Sequence, residues 1–157
     1  MKELSDLVEI SQHYGKQKNY VIAGGGNTSF KNDKYIWIKA SGTSLATINK
    51  SGFVQLDRAK LKKISQASYS EDPFERERQV KVDLNEAIVD KESGLRPSVE
   101  TSMHEVIWYP FIVHTHPTLI NGMLCGKKSK QAVGELFPEN TLYLEYVDPG
   151  YTLFKRI

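Results

Sequence analysis

Short β-type runs interleaved irregularly with helical periods constrain the fold of this chain more than any other feature. Tyr20-Val-Ile22, Tyr35-Ile-Trp-Ile38, Phe53-Val-Gln-Leu56, Phe111-Ile-Val-His-Thr-His116 and Leu142-Tyr-Leu-Glu-Tyr-Val147 are rich in β-branched and aromatic residues and read as strands. Lys31-Asn-Asp-Lys34 forms a turn ahead of Tyr35, so this part of the chain reads as a β-hairpin. Between these runs, Leu4, Leu7, Val8, Ile10 and Tyr14 recur at helical spacing until Gly15 stops them. Asp57 caps a helix through Leu61 and Ile64, and Val80, Leu84, Ala87 and Ile88 mark another. Further helices are expected after Ser98, near Thr118 to Cys125 and near Ser129 to Leu136. A doubly wound parallel sheet needs regular strand–helix alternation, which this order lacks. The pattern therefore predicts an α+β domain or a layered α/β/α one.

The 157 residues suit a single domain, and the Ser- and Glu-rich stretch from Ser65 to Pro73 reads as a surface loop within it. The net charge of +2 points to no particular partner. Basic residues cluster only at Lys60-Leu-Lys-Lys63 and Lys127-Lys128, without the interleaved aromatics of a nucleic-acid platform, so nucleic acid is excluded as the expected partner. Met1-Lys-Glu-Leu-Ser-Asp6 has no apolar leader and no run approaches a membrane span, which predicts a soluble, cytoplasmic protein. The single Cys125 precludes an internal disulfide and, after Gly122-Met-Leu124, reads as a small buried apolar residue. His13, in a last helical turn, reads as a partner of the helix dipole.

Chemistry concentrates between Pro97 and Pro117. On a strand, side chains alternate faces, so His114 and His116 point the same way and can share a divalent ion; Pro117 then ends the strand and leaves the pair at a rim. A polar face on an edge strand would look the same. Upstream, a helix capped by Ser98 would hold Glu100 in its first turn, with His104 one turn later on the same face. Taken alone, that helix reads as structural.

Two loops of small residues accompany this stretch. Ala23-Gly-Gly-Gly-Asn-Thr-Ser29 lets main-chain N–H groups approach an anion and adds short side-chain donors. It is neither a Walker loop nor a dinucleotide fingerprint, because no Gly-Lys-Ser/Thr follows and Ser29 stands where a third spaced glycine belongs. Lys39-Ala-Ser-Gly-Thr-Ser44 again sets hydroxyls around a glycine. With Ser98, the two loops could converge on one anion, or each could be a plain turn.

Together, Gly25-Gly-Asn-Thr-Ser29, Ser41-Gly42, Pro97-Ser-x-Glu100 with His104, and His114-x-His116-Pro117 resemble the class II aldolase/adducin family over nearly the whole chain. The likeness is to its sugar-phosphate aldolases of the rhamnulose-1-phosphate type, including the aldolase part of a fusion with a short-chain dehydrogenase, and Tyr146-Val-Asp-Pro-Gly-Tyr-Thr-Leu-Phe-Lys155 adds to it. The resemblance implies a three-layer α/β/α domain with a central, mainly antiparallel sheet. It implies zinc or a similar divalent ion on His114 and His116, Glu100 as the catalytic proton carrier, and substrate phosphate held by Asn27, Ser41, Gly42 and Ser98 with Gly26 and Thr28 beside them. The implied reaction is cleavage of a ketose 1-phosphate to dihydroxyacetone phosphate and an aldehyde, by a homo-oligomer, often a tetramer.

The chain also departs from the family pattern. Val99 stands where many members carry a second serine before the glutamate. The family's third metal-binding histidine falls well downstream of Pro149-Gly150, whereas only His13, His104, His114 and His116 occur here, so residues 1–157 read as the domain without its C-terminal part. The tyrosine that assists the aldehyde half stays unassigned among Tyr143, Tyr146 and Tyr151. Two alternatives stand beside the aldolase: a sugar-phosphate epimerase of the same family, and a non-catalytic, adducin-like interaction module.

Overall fold

The computed structural model describes residues 1–157. The chain opens with α1 (Lys2–Gly15), followed by strands β1 (Asn27–Lys31), β2 (Tyr35–Lys39) and β3 (Phe53–Asp57). Helices α2 (Arg58–Gln66), α3 (Pro73–Ala87) and the short α4 (Thr101–Val106) come next, then β4 (Phe111–His114), α5 (Thr118–Leu124), α6 (Ser129–Leu136) and α7 (Tyr151–Phe154). The strands form one antiparallel sheet in the order β3-β2-β1-β4. No helix is long and apolar enough to cross a membrane.

Strand alternation builds two cores, and hence three layers. Ile36, Ile38, Val54 and Leu56 turn to one face, where they pack with Leu61 and Ile64 of α2 and Val80, Leu84 and Ala87 of α3. Phe30, Trp37 and Phe53 turn to the other, against Leu7 of α1 and Ile48. The rings of Phe30 and Trp37 stack with centroids 5.7 Å apart, and Phe111 of β4 joins them at 4.9 Å from Phe30. The caps follow the sequence: Asp57 accepts from the N–H groups of Ala59 and Lys60, and Asp72 accepts from Glu75 with Pro73 in the first turn of α3.

Helix α4 is pinned to the sheet by charge. The ammonium of Lys31, on a residue only 4% exposed, donates to the carbonyls of His104, Glu105 and Ile107, the unpaired acceptors at the end of α4. Arg58 then holds the Glu105 carboxylate at 2.8 Å.

Several local expectations change. The first strand is Asn27–Lys31 and not Tyr20–Ile22, because the Asn-Thr-Ser segment finds ladder partners on both sides while Tyr20–Ile22 joins no ladder. The histidine strand stops at His114. Leu142–Val147 forms no strand, since no neighbour pairs with it. Helix α4 begins at Thr101 with Glu100 in the cap position, so Ser98 lies outside it. Cys125 follows α5 on the surface and is exposed, because the Gly122 face of that helix packs on nothing.

Candidate active site

The register of β1 against β4 sets the site: Asn27 lies opposite His114. Alternation along β1 sends Asn27 and Ser29 toward α4 and Thr28 toward α1. Thr28 is fully buried with its hydroxyl 2.6 Å from Ser11 Oγ of α1, so its side chain packs away from the histidines and is not free for the phosphate expected there. Asn27 Nδ2 donates to Glu100 Oε2 at 2.5 Å and, more weakly, to Ser98 Oγ at 3.4 Å. Ser98 Oγ in turn accepts from the Glu100 N–H at 3.2 Å, which closes a small polar ring.

Glu100 also reaches the histidines. Its Oε2 lies 3.2 Å from His114 Nδ1, while His114 Nε2 faces His116 Nε2 at 3.0 Å. The two imidazoles thus converge as alternation requires, although the strand ends between them. Gly26 makes the approach possible: its φ is +69°, and a Cβ there would lie 2.6 Å from the His114 carbonyl oxygen. A Cβ on Gly25 would lie 3.3 Å from His116 Nδ1. The glycine run therefore lays its loop directly on the histidine strand.

Electrostatics in the cluster oppose one another. Burial pushes the Glu100 carboxyl up, yet contacts from His114 and Asn27 hold it below the usual carboxylate range. His104 is buried with Nδ1 2.7 Å from Ser29 Oγ and no partner for Nε2; burial, aided by the charge of His114, pushes it down to about 3. Burial also lowers His116. A neutral His104 thus backs a site whose charge sits on Glu100.

The donor set fits a divalent ion. In a tetrahedral zinc site, Zn–N distances of ~2.0–2.1 Å place two ligating nitrogens about 3.3 Å apart, close to the separation of the two Nε2 atoms. A carboxylate at Nδ1 favours the tautomer that leaves Nε2 bare, the usual outer-shell arrangement of a metal-binding histidine. No group of three or more His, Cys, Asp or Glu side chains is arranged to hold an ion, so these residues would offer the two histidines as ligands.

The second loop stands apart from this cluster. The Ser41 N–H donates to the Arg96 carbonyl at 2.8 Å, and Gly42 adopts φ +86°; the loop lies beside the segment leading to Ser98 without a hydrogen bond to Asn27 or Ser98. Beneath it lies a residue that sequence reasoning missed. Lys39 is 5% exposed and donates to the Thr43 carbonyl, and the charge of Glu100 counters the burial that lowers its pKa. Its only signal in the sequence was a lysine ending an apolar strand. The Ser29–His104 bond was missed too, because strand parity that far upstream was unreadable while Asn27 to Ser29 passed for a loop. Tyr143, Tyr146 and Tyr151 bond to Ser129, Asp148 and Ala67, away from the histidines.

A layered α/β domain carrying a glycine loop ahead of one strand, a partly buried carboxylate at a helix cap and paired histidines at the end of the adjoining strand defines a class of protein. The chain belongs to the class II aldolase and adducin N-terminal domain family, whose model matches residues 5–154. It is 30% identical over 166 aligned positions to the uncharacterized oxidoreductase YuxG of Bacillus subtilis (strain 168), covering 99% of this chain and 23% of that protein. The chain therefore spans about a quarter of that relative's length. The N-terminal class II aldolase domain of a conserved protein from Thermoplasma acidophilum superposes with a TM-score of 0.84 at 24% identity, covering 98% of this chain and 72% of that one. L-fuculose 1-phosphate aldolase superposes with a TM-score of 0.52 at 19% identity, over 78% of this chain and 47% of that one. These structural likenesses show the fold.

Proposed function

We propose that this chain carries most of the active site of a zinc-dependent class II aldolase that cleaves a ketose 1-phosphate to dihydroxyacetone phosphate and an aldehyde. The observation that carries the reading is the convergence of His114 and His116 at Nε2 with Glu100 against Nδ1 of the first. His114 and His116 would hold the ion, which as a Lewis acid polarises the ketose carbonyl and its neighbouring hydroxyl. In the synthetic direction Glu100, held ionised, would take the proton from carbon of dihydroxyacetone phosphate; in cleavage it would return to that carbon a proton that it first receives, through water, from the C4 hydroxyl as the C3–C4 bond opens. Gly26, Asn27, Thr28, Ser41, Gly42 and Ser98 form the phosphate end in this reading, with Thr28 contributing only through its main chain. Binding energy at the phosphate would serve orientation at the reacting carbons. In this reading the protein is a cytoplasmic homotetramer, and a third metal ligand and the tyrosine on the aldehyde side come from outside the residues assigned here, as from a neighbouring subunit.

The test is metal content and product analysis on the full-length protein. Near-stoichiometric zinc in the wild type, lost in His114→Ala, is expected, together with triose phosphate and an aldehyde as products by NMR. A wild-type protein that takes up no divalent metal would sink the reading. A stereoisomer of the starting sugar as sole product would replace it with epimerisation.

A further inference from the structure

Away from the histidines, helices α2 and α4 turn a stripe of side chains toward one another across a hollow. Arg58, Leu61, Lys62 and Ser65 recur at i, i+3, i+4 and i+7 along α2, and Ser102 and Glu105 at i and i+3 along α4. They line a cavity of about 350 Å³ that shares no residue with the histidine cluster. Ser102 marks it as more than a packing gap. The residue is 7% exposed, and its Oγ is buried without a hydrogen-bond partner. A helical serine can bond back to the carbonyl four residues earlier, but the Ser98 carbonyl already accepts from both the N–H and the hydroxyl of Thr101, which fill its two lone pairs. The Ser102 hydroxyl is left over, at a cost in stability that calls for a ligand to meet it.

The charge around the cavity is positive. Arg58 reaches Glu105 through Nε and the Asn32 carbonyl through Nη1, so the Nη2 protons stay unbonded. Lys62 is exposed and forms no ion pair, and the Lys155 ammonium lies close by, on the Ser65 carbonyl. Against these cations stands one lining acid, Glu105, which Arg58 already holds. Leu61 and Phe154 add an apolar wall, and the Trp108 ring beside them is 86% exposed. Ser65 spends its hydroxyl on the Lys62 carbonyl, so a sugar would find few partners for its several hydroxyls. A flat apolar ring bearing a single anionic group would use everything the cavity offers.

We infer that this cavity is a second binding site, for a small aromatic carboxylate. Its ring lies against Trp108 and the Leu61 and Phe154 wall, its carboxylate is held by Arg58 Nη2 and Lys62, and the Ser102 hydroxyl is a further donor. The inference stands apart from the aldolase reading, since no residue of that reading lines the cavity.

Isothermal titration of the full-length protein with 2-naphthoate is the test. One saturable site per chain is expected, with 2-naphthamide, which lacks the charge, and acetate, which lacks the ring, each binding roughly tenfold or more weakly. Lys62→Glu and Trp108→Ala alter exposed side chains and should leave the fold intact; the first should weaken 2-naphthoate roughly tenfold or more and the second roughly 3- to 10-fold. Ser102→Ala should raise the unfolding midpoint and weaken 2-naphthoate together, a pairing that a serine with a purely structural role would not show. His114→Ala should leave the affinity unchanged. Absence of saturable binding, equal affinity for the three probes, or affinities unmoved by Lys62→Glu and Trp108→Ala would each overturn the inference. So would a lowered midpoint in Ser102→Ala, which would mean that the hydroxyl already has a partner, or loss of binding in His114→Ala, which would place the probe at the histidines.

Discussion

The β1–β2–β3 meander and the stretch from Thr118 to Gly150 treat their apolar residues in opposite ways. In the meander, Phe30, Ile36, Trp37, Ile38, Phe53, Val54 and Leu56 are all buried. Between Thr118 and Gly150, only Ser129, Val133 and Gly150 are, while Leu119, Leu136, Leu142 and Tyr146 are more than two-thirds exposed. Both regions contain alternating, β-prone runs. The difference is that each meander strand has a ladder neighbour and a helix over its face, whereas Leu142–Val147 has neither. Periodicity records a preference, and a partner decides whether it becomes a strand.

The largest effect should come from the meander's core. Leu56 is fully buried between the sheet and helices α2 and α3, and Leu56→Ala is expected to cost about 2–5 kcal/mol through lost burial and the cavity left behind. Urea unfolding gives the value directly; a loss below about 1 kcal/mol would mean that this core is looser than its burial implies.

Lys31 should come next. Removing its ammonium in Lys31→Met leaves the end of α4 without the donor shared by the His104, Glu105 and Ile107 carbonyls. A buried acceptor left unpaired costs about 1–3 kcal/mol, so a loss of about 3 kcal/mol is expected. Because α4 carries His104 and follows Glu100, the zinc uptake proposed for the histidine pair should weaken in the same variant. Lys31→Arg, which keeps the charge, should retain more of both.

A third test uses pH. His104 is held down to about 3 in the folded protein, against an ordinary value of ~6.5 in the unfolded chain. Between those values the unfolded state binds the extra proton, so the contribution of neutral His104 is complete above pH ~6.5 and is lost as the pH falls toward 3. The slope from this group is about 1.4 kcal/mol per pH unit, and the drop from pH 6.5 to pH 5 should be near 2 kcal/mol. His104→Asn, which can still pair with Ser29, is expected to flatten the stability profile in that window. An unchanged profile would show that His104 is not the group responsible.

What could be read in advance follows the same division. The helix starts at Asp57 and Asp72 have local causes, a side-chain oxygen meeting the first free N–H groups, and Asp57 announces its helix from the sequence. The convergence of His114 and His116 is equally local, since two-residue periodicity suffices to predict it. Placing Glu100 against His114, by contrast, depends on how α4 docks on the sheet, and docking is set by Lys31 and Arg58 across a long sequence separation. The burial of Lys39 likewise depends on how its own strand and the following loop fold over it. The direction of the Thr28 hydroxyl was equally unreadable, because Asn27–Ser29 belongs to a strand and parity there turns it to α1.

The smallest expected effect tests the comparison from its exposed side. Leu142 is 72% exposed and Tyr146 88%; neither belongs to a core cluster, and the Tyr146 hydroxyl bonds only locally, to Asp148. Truncating side chains in such settings changes stability by about 0.5 kcal/mol or less, so Leu142→Ser and Tyr146→Ser in residues 1–157 should leave the unfolding midpoint almost unmoved. The same substitutions in the full-length protein carry the sharper question. The Leu142–Val147 run alternates like a strand and lies in a chain whose outer strand β4 has one ladder neighbour. If a further part of the protein gives that run a partner, the two variants should become destabilising by more than about 1 kcal/mol there while remaining neutral in the shorter chain. Neutrality in both would make the exposed character of the stretch a property of the whole protein, and the contrast with the meander would then reflect the stretch itself and not a missing neighbour.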